Sequence, residues 1–82
     1  EARDREKQLR QAARDAEAEM ARLTDERSAI DRATFDPAGA EPRSAKLTMS
    51  DLMKRRSDVQ AKLDAAEARW LEASEGLEAV TA

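Results

Sequence analysis

The chain contains neither cysteine nor histidine. Without cysteine it can form no disulfide framework and no thiolate metal site, so its redox compartment is undetermined. Without histidine it has no metal-ligand cluster of that kind, and its five serines have no base to activate them. The two glycines stand alone, outside any G-x-x-x-x-G-K phosphate loop. We therefore expect no enzyme activity and no bound cofactor in this stretch of chain.

Aromatic residues make up 2% of the 82 residues, which excludes a globular fold around a bulky aromatic core. Charged residues make up 40%, yet only two Gly and two Pro are present, and the abundant Ala, Leu, Arg, Glu and Lys favour helix over disorder. Apolar stretches fall far short of the roughly 20 residues that span a membrane, and the first residues are not signal-like. We expect a soluble, cytoplasmic protein without membrane contact, and Glu1 in place of Met suggests a fragment of something longer.

Core-type residues recur in the second half of the chain at alternating steps of four and three. This second seam comprises Ala45, Met49, Leu52, Arg56, Val59, Leu63, Ala66, Trp70, Ala73, Leu77 and Val80. Such a heptad pattern is typical of a helix that packs along its length against another helix. It predicts a helix over about residues 49–79, opened by Thr48 and Asp51 as a capping box with Asp in place of Glu or Gln.

A weaker first seam lies upstream. It comprises Ala2, Glu6, Leu9, Ala13, Ala16, Met20, Leu23, Arg27 and Ile30. It predicts a helix over about residues 3–33. The connector TFDPAGAEPRSAKLT contains both prolines and one glycine, so no single helix crosses it. Within it, Asp36 before Pro37 predicts a turn or a one-turn helix.

Two helices of similar length bury their seams by folding back on each other. We therefore expect an all-α fold, an antiparallel two-helix coiled-coil hairpin about 45 Å long that forms one domain over residues 1–82. The largest structural seam residues are Leu9, Met20, Leu23, Ile30, Leu52, Val59, Leu63, Trp70 and Leu77. At the turn we expect an apolar cluster of Phe35, Leu47, Met49, Leu52 and Met53.

The register has two options that differ by one heptad. The first places Trp70 opposite Ala16, with Leu63 opposite Leu23 and Leu77 opposite Leu9. The second places Trp70 opposite Leu9 and Ile30 opposite Met49. The first is favoured because large side chains interdigitate best with small ones.

Charge is uneven along the chain, although the net charge is only −3. Residues 43–62 hold six cations against two anions, a local net charge of +4, and residues 63–82 hold one cation against five anions, a local net charge of −4. The basic band comprises Arg43, Lys46, Lys54, Arg55, Arg56 and Lys62. It suits phosphate contacts with nucleic acid, but it also suits a solvated coiled-coil flank, which the acidic overall balance favours.

Trp70 also allows two interpretations. A lone aromatic can serve as a platform for base stacking, but at a seam position it is more often a core anchor. The three methionines are expected to fill gaps in the core or at the turn.

The order of long helix, FDP turn, LTMSDLMKRR and AKLDAAEARWLEASEGLE resembles the C-terminal coiled-coil domain of ABC-F ATPases, the Uup-like subgroup in particular. In that family the second helix of a hairpin ends in Trp followed by two Leu-Glu pairs, here Trp70, Leu71–Glu72 and Leu77–Glu78. The resemblance covers essentially the whole chain. It implies a cytoplasmic parent ATPase that acts on ribosomes and translation and binds ATP and Mg²⁺ in two cassettes outside this chain.

Three hypotheses about function follow. The resemblance implies an accessory hairpin that binds DNA, and a contact to ribosomal RNA is equally compatible with it. The second hypothesis is a structural or protein-interaction hairpin that positions the cassettes or docks on the ribosome. The third is a dimerisation module that uses Ala12, Ala65 and Ala68, although the narrow seams favour a monomer.

Overall fold

The computed structural model of the chain describes residues 1–39 and 46–81 as two long helices and one short turn. Helix α1 runs over Ala2–Phe35, a 3-10 turn follows at Pro37–Gly39, and helix α2 runs over Met49–Thr81. The two helices pack against each other, and the described residues contain no strand. The predicted all-α two-helix hairpin is therefore confirmed. Helix α1 begins one residue earlier and ends two residues later than expected, and α2 ends two residues later.

The hairpin is a thin rod. Its Cα atoms extend over 53 × 17 × 15 Å, with a radius of gyration of 17.1 Å. A compact domain of this length would have a radius of gyration of about 12 Å. The rod exceeds the expected length of about 45 Å because 34 and 33 residues are helical, and each adds about 1.5 Å.

The core is thickest toward the tip, the end of the rod where α1 ends and α2 begins. One cluster of buried side chains comprises Leu23, Ile30, Ala33, Leu52, Val59, Leu63 and Ala66, with Met20 and Leu47 packed against it. Toward the opposite, open end the buried residues are alanines, and the larger Leu9, Trp70 and Leu77 are only half-buried. The tip half of the rod is therefore the better packed half.

Contacts between the helices match the first of the two registers. The Trp70 Nε1–H donates to Glu17 Oε1 at 2.8 Å, and Arg27 Nη1 donates to Gln60 Oε1 at 3.0 Å. These pairs place Trp70 beside the turn of α1 that contains Ala16. A shift by one heptad would separate both pairs by about 10 Å along the axis.

Gly76 shows how closely the helices approach near the open end. A Cβ atom at this position would lie 3.0 Å from Leu9 Cδ2 and 3.2 Å from Leu9 Cδ1. The missing side chain therefore leaves space for Leu9, although glycine lowers helix propensity by about 1 kcal/mol relative to alanine.

The ends of the helices at the tip are capped as the sequence predicts. The Thr48 N–H donates to Asp51 Oδ2 at 3.3 Å, and the Asp51 N–H donates to Thr48 Oγ1 at 3.1 Å, which is a reciprocal capping box. At the end of α1, the Asp36 N–H donates to the Arg32 carbonyl at 2.7 Å. Asp36 Oδ1 then accepts the Gly39 N–H at 3.3 Å, which caps the 3-10 turn.

The predicted apolar cluster at the turn is wrong in most of its members. Leu52 is buried and Leu47 packs on the core, but Phe35 is 85% exposed, Met49 55% and Met53 49%. The physical reason is that Ile30, Ala33 and Leu52 already fill the space between the last turn of α1 and the first turn of α2.

Replacing Thr48 with alanine is expected to lower the free energy of unfolding by about 0.5–2 kcal/mol, because the Asp51 N–H loses its acceptor. Urea unfolding followed by circular dichroism measures this change. The matched control is Ser50→Ala. Ser50 is exposed and lies two residues after Thr48 in the first turn of α2, so its replacement should change stability by less than about 0.5 kcal/mol. Equal losses in both variants would contradict the capping role.

Candidate nucleic-acid interface

The basic band lies mainly on the first half of α2, next to the tip. Lys46 precedes the helix, and Lys54, Arg55 and Lys62 lie on it; all four side chains are exposed. Arg43 and the seam residue Ala45 fall outside the described residues. The described cations therefore form a band along the better packed half of the rod, where a rigid backbone holds them in place.

Arg56 differs from the other cations of the band. Its Nε donates to Asp31 Oδ1 at 2.8 Å, and both side chains are a little over one third exposed. The residue occupies a seam position, so its aliphatic stem packs between the helices while its guanidinium reaches the acid on α1. This pairing directs Arg56 to Asp31, which leaves Lys54, Arg55 and Lys62 as the cations on α2 best placed to meet a phosphate.

Arg27, the cation of the first seam, has the same arrangement. Its guanidinium donates across the rod to the half-buried Gln60, as described above. Both seam arginines therefore connect the helices.

An acidic residue of α1 lies alongside the far end of the band. The hydrogen bond from Arg22, at 2.6 Å, is the main reason that the pKa of Glu19 is lowered from its usual value. The charges of Arg69 and Lys62 on α2 lower that pKa further. Asp51 and Asp58 line the same surface as Lys54 and Arg55, so carboxylates accompany the cations along the band.

Trp70 lies away from the basic band and contacts α1. Its ring is half-buried, and its N–H bonds Glu17 across the rod. Its seam position, its partial burial and its hydrogen bond to the other helix agree on this placement. The arrangement is that of an anchor between the helices, one of the two interpretations that the sequence left open.

The large apolar side chains exposed at the tip are the feature that sequence reasoning missed. They are Phe35, Met49 and Met53, and the fourth exposed large hydrophobic residue, Leu71, lies far along α2. The sequence did carry a signal for Phe35. Continuing the first seam past Ile30 by three or four residues gives Ala33 or Thr34, so Phe35 falls off the seam.

Two other kinds of feature are absent from the part of the chain that the structure describes. Within 1–39 and 46–81, no three acidic, histidine or cysteine side chains are grouped so that they could hold a metal ion. Neither of the two described helices is long and apolar enough to cross a membrane.

Comparisons with known proteins give no relative for this chain. No protein-family model, no curated protein and no solved structure matches it.

Proposed function

We propose that the chain is a non-catalytic accessory hairpin of an ABC-F ATPase of the Uup-like kind, and that it binds DNA or ribosomal RNA through the basic half of α2. The observation that carries the proposal is the exposure of Lys54, Arg55 and Lys62 on the rigid half of a thin rod. The resemblance of the FDP turn and the Trp70 tail supports the ABC-F parent. ATP and Mg²⁺ would bind to the cassettes of that parent.

The rod shape suits a contact with the nucleic-acid backbone. Lysine and arginine side chains gain affinity by releasing counterions from phosphates, which needs no pocket and no fixed base sequence. A rod whose Cα atoms extend over 17 × 15 Å in cross-section can lay such side chains along the phosphate backbone without enclosing the nucleic acid. The proposed contact is therefore sensitive to salt and weakly selective for sequence.

Replacing Lys54 and Arg55 with glutamate tests the proposal. We expect binding of duplex DNA and structured RNA at low salt to weaken at least tenfold, because two phosphate contacts become repulsions. The slope of log affinity against log salt should also become shallower, by about 0.9 for each lost contact on duplex DNA. Fluorescence anisotropy over a salt series measures both quantities.

The matched control is Arg3→Glu with Lys7→Glu. It changes the net charge by the same amount at exposed positions near the open end of α1. Circular dichroism confirms that both variants keep the helical fold. Binding that is unchanged in the Lys54/Arg55 variant, or weakened equally in the control, would remove these two residues from the interface.

A second candidate function is a structural or protein-interaction hairpin that positions the cassettes or docks on the ribosome. The observation that favours it is neutralisation within the rod, because Asp31 pairs with Arg56, and Asp51 and Asp58 lie beside Lys54 and Arg55. This candidate predicts no binding of the wild-type chain to duplex DNA or structured RNA, even at low salt.

A further inference from the structure

We propose that Phe35 is a stacking platform for an unpaired base, so that the ligand of the tip is single-stranded or looped nucleic acid. This inference rests on the proposed function and narrows it to one class of nucleic acid. The chemistry is shared by DNA and RNA, because every base presents a flat aromatic face.

The exposure of Phe35 is the first observation. Its side chain is 85% exposed, although it is the last residue of α1 and lies two positions after the buried Ala33. The fold does not use this ring, since the nearby Ile30 and Ala33 provide the packing against α2. Met49 and Met53 add exposed apolar surface at the same end of the rod.

The second observation is that a rigid backbone presents the ring. Ile30 and Ala33 fix the preceding turn in the core, and the Asp36 N–H closes the helix end on the Arg32 carbonyl. The Asp36 carboxylate also caps the following 3-10 turn. Little backbone freedom would be lost when a base stacks on this ring, which lowers the entropic cost of binding.

The third observation is the position of Phe35 relative to the basic band. The Asp31–Arg56 and Arg27–Gln60 pairs set a register in which Phe35 lies level with Leu52. Lys54 and Arg55 follow Leu52 by two and three residues, a distance of about 3–5 Å along the axis. Measured along the axis, the ring on α1 and the two cations on α2 therefore lie within one helical turn of each other, so a strand that crosses the tip meets both.

This combination fits the chemistry of an unpaired strand. Proteins bind single strands by pairing cations that track the phosphates with aromatic rings on which bases stack. In a duplex the bases are stacked on each other and their faces are covered, so Phe35 would add little to duplex binding. In a loop or single strand the bases are free to stack on the ring.

The test compares Phe35→Ala, Phe35→Leu and Phe35→Tyr in anisotropy titrations. The probes are a single-stranded oligonucleotide and the duplex of the same sequence, each as DNA and as RNA. We expect Phe35→Ala and Phe35→Leu to weaken single-strand binding by about 5- to 100-fold, and Phe35→Tyr to retain it, because only tyrosine keeps an aromatic face. Leu71→Ala, which removes exposed apolar surface far from the tip, should have no effect.

The salt series separates this inference from the proposed function. Loss of a stacked base should leave the salt slope unchanged, whereas the Lys54/Arg55 variant should reduce it. If Phe35→Leu binds single strands as the wild type does, or if duplex and single-strand binding weaken equally, the stacking role is overturned while the cationic interface stands. If the wild type binds none of the four probes, the proposed function fails and the stacking role fails with it.

Discussion

Replacing Leu23 with alanine is expected to lower the free energy of unfolding of the hairpin by about 2–5 kcal/mol. Leu23 is 1% exposed and belongs to the cluster that joins α1 to Leu52, Val59 and Leu63. Because Leu23 is almost completely buried, the loss includes both the burial of the deleted carbon atoms and the cavity that they leave. Urea unfolding followed by circular dichroism measures the change.

The matched control is Leu71→Ala, which removes the same atoms from a side chain that is 52% exposed. It should change stability by less than about 0.5 kcal/mol. A small domain has only about 5–15 kcal/mol of stability, so the Leu23 variant should also melt well below the wild type. Equal stabilities of the two variants would contradict the position of Leu23 in the core.

The second large effect is expected from adding volume to the core. Ala66 is completely buried, at 0% exposure, in the same cluster as Leu63. Ala66→Leu places three more carbon atoms where the helices meet, and overpacking of this kind costs about 1–3 kcal/mol. Thermal unfolding at fixed protein concentration measures the loss.

The neighbouring Ala65 provides the control because it is exposed on the same turn of α2. Ala65→Leu adds the same atoms to the surface and should leave stability within about 0.5 kcal/mol of the wild type. If Ala66→Leu were as stable as Ala65→Leu, the helices could not be packed as closely at this position as the structure shows.

Much of the fold could be predicted from the sequence because it depends on short-range patterns. Heptad spacing gave both helices and the hairpin, and the first register agrees with the observed Trp70–Glu17 contact. The Thr48/Asp51 capping box was also recognisable, since its residues lie three positions apart. Patterns of this kind need only the helix geometry, which is the same in every protein.

The candidate site was less predictable. The basic band is visible as composition, but the pairing of Arg56 with Asp31 depends on a residue 25 positions away on the other helix. The apolar cluster expected at the turn was wrong because the space it would occupy is filled by core residues. The pairing of Arg56 does not follow from residues that are close together in the chain, whereas the seam spacing does place Phe35 off the packed face.

The sequence by itself determined the two helices, their seams, the position of the turn and the excess of cations beside it. The tertiary structure decided which of those residues remain exposed and free to contact a ligand. It paired Arg56 with Asp31 and placed Trp70 between the helices, and it left Phe35 exposed. The reason is that periodicity assigns residues to a helix face, whereas availability depends on what the other helix brings against that face.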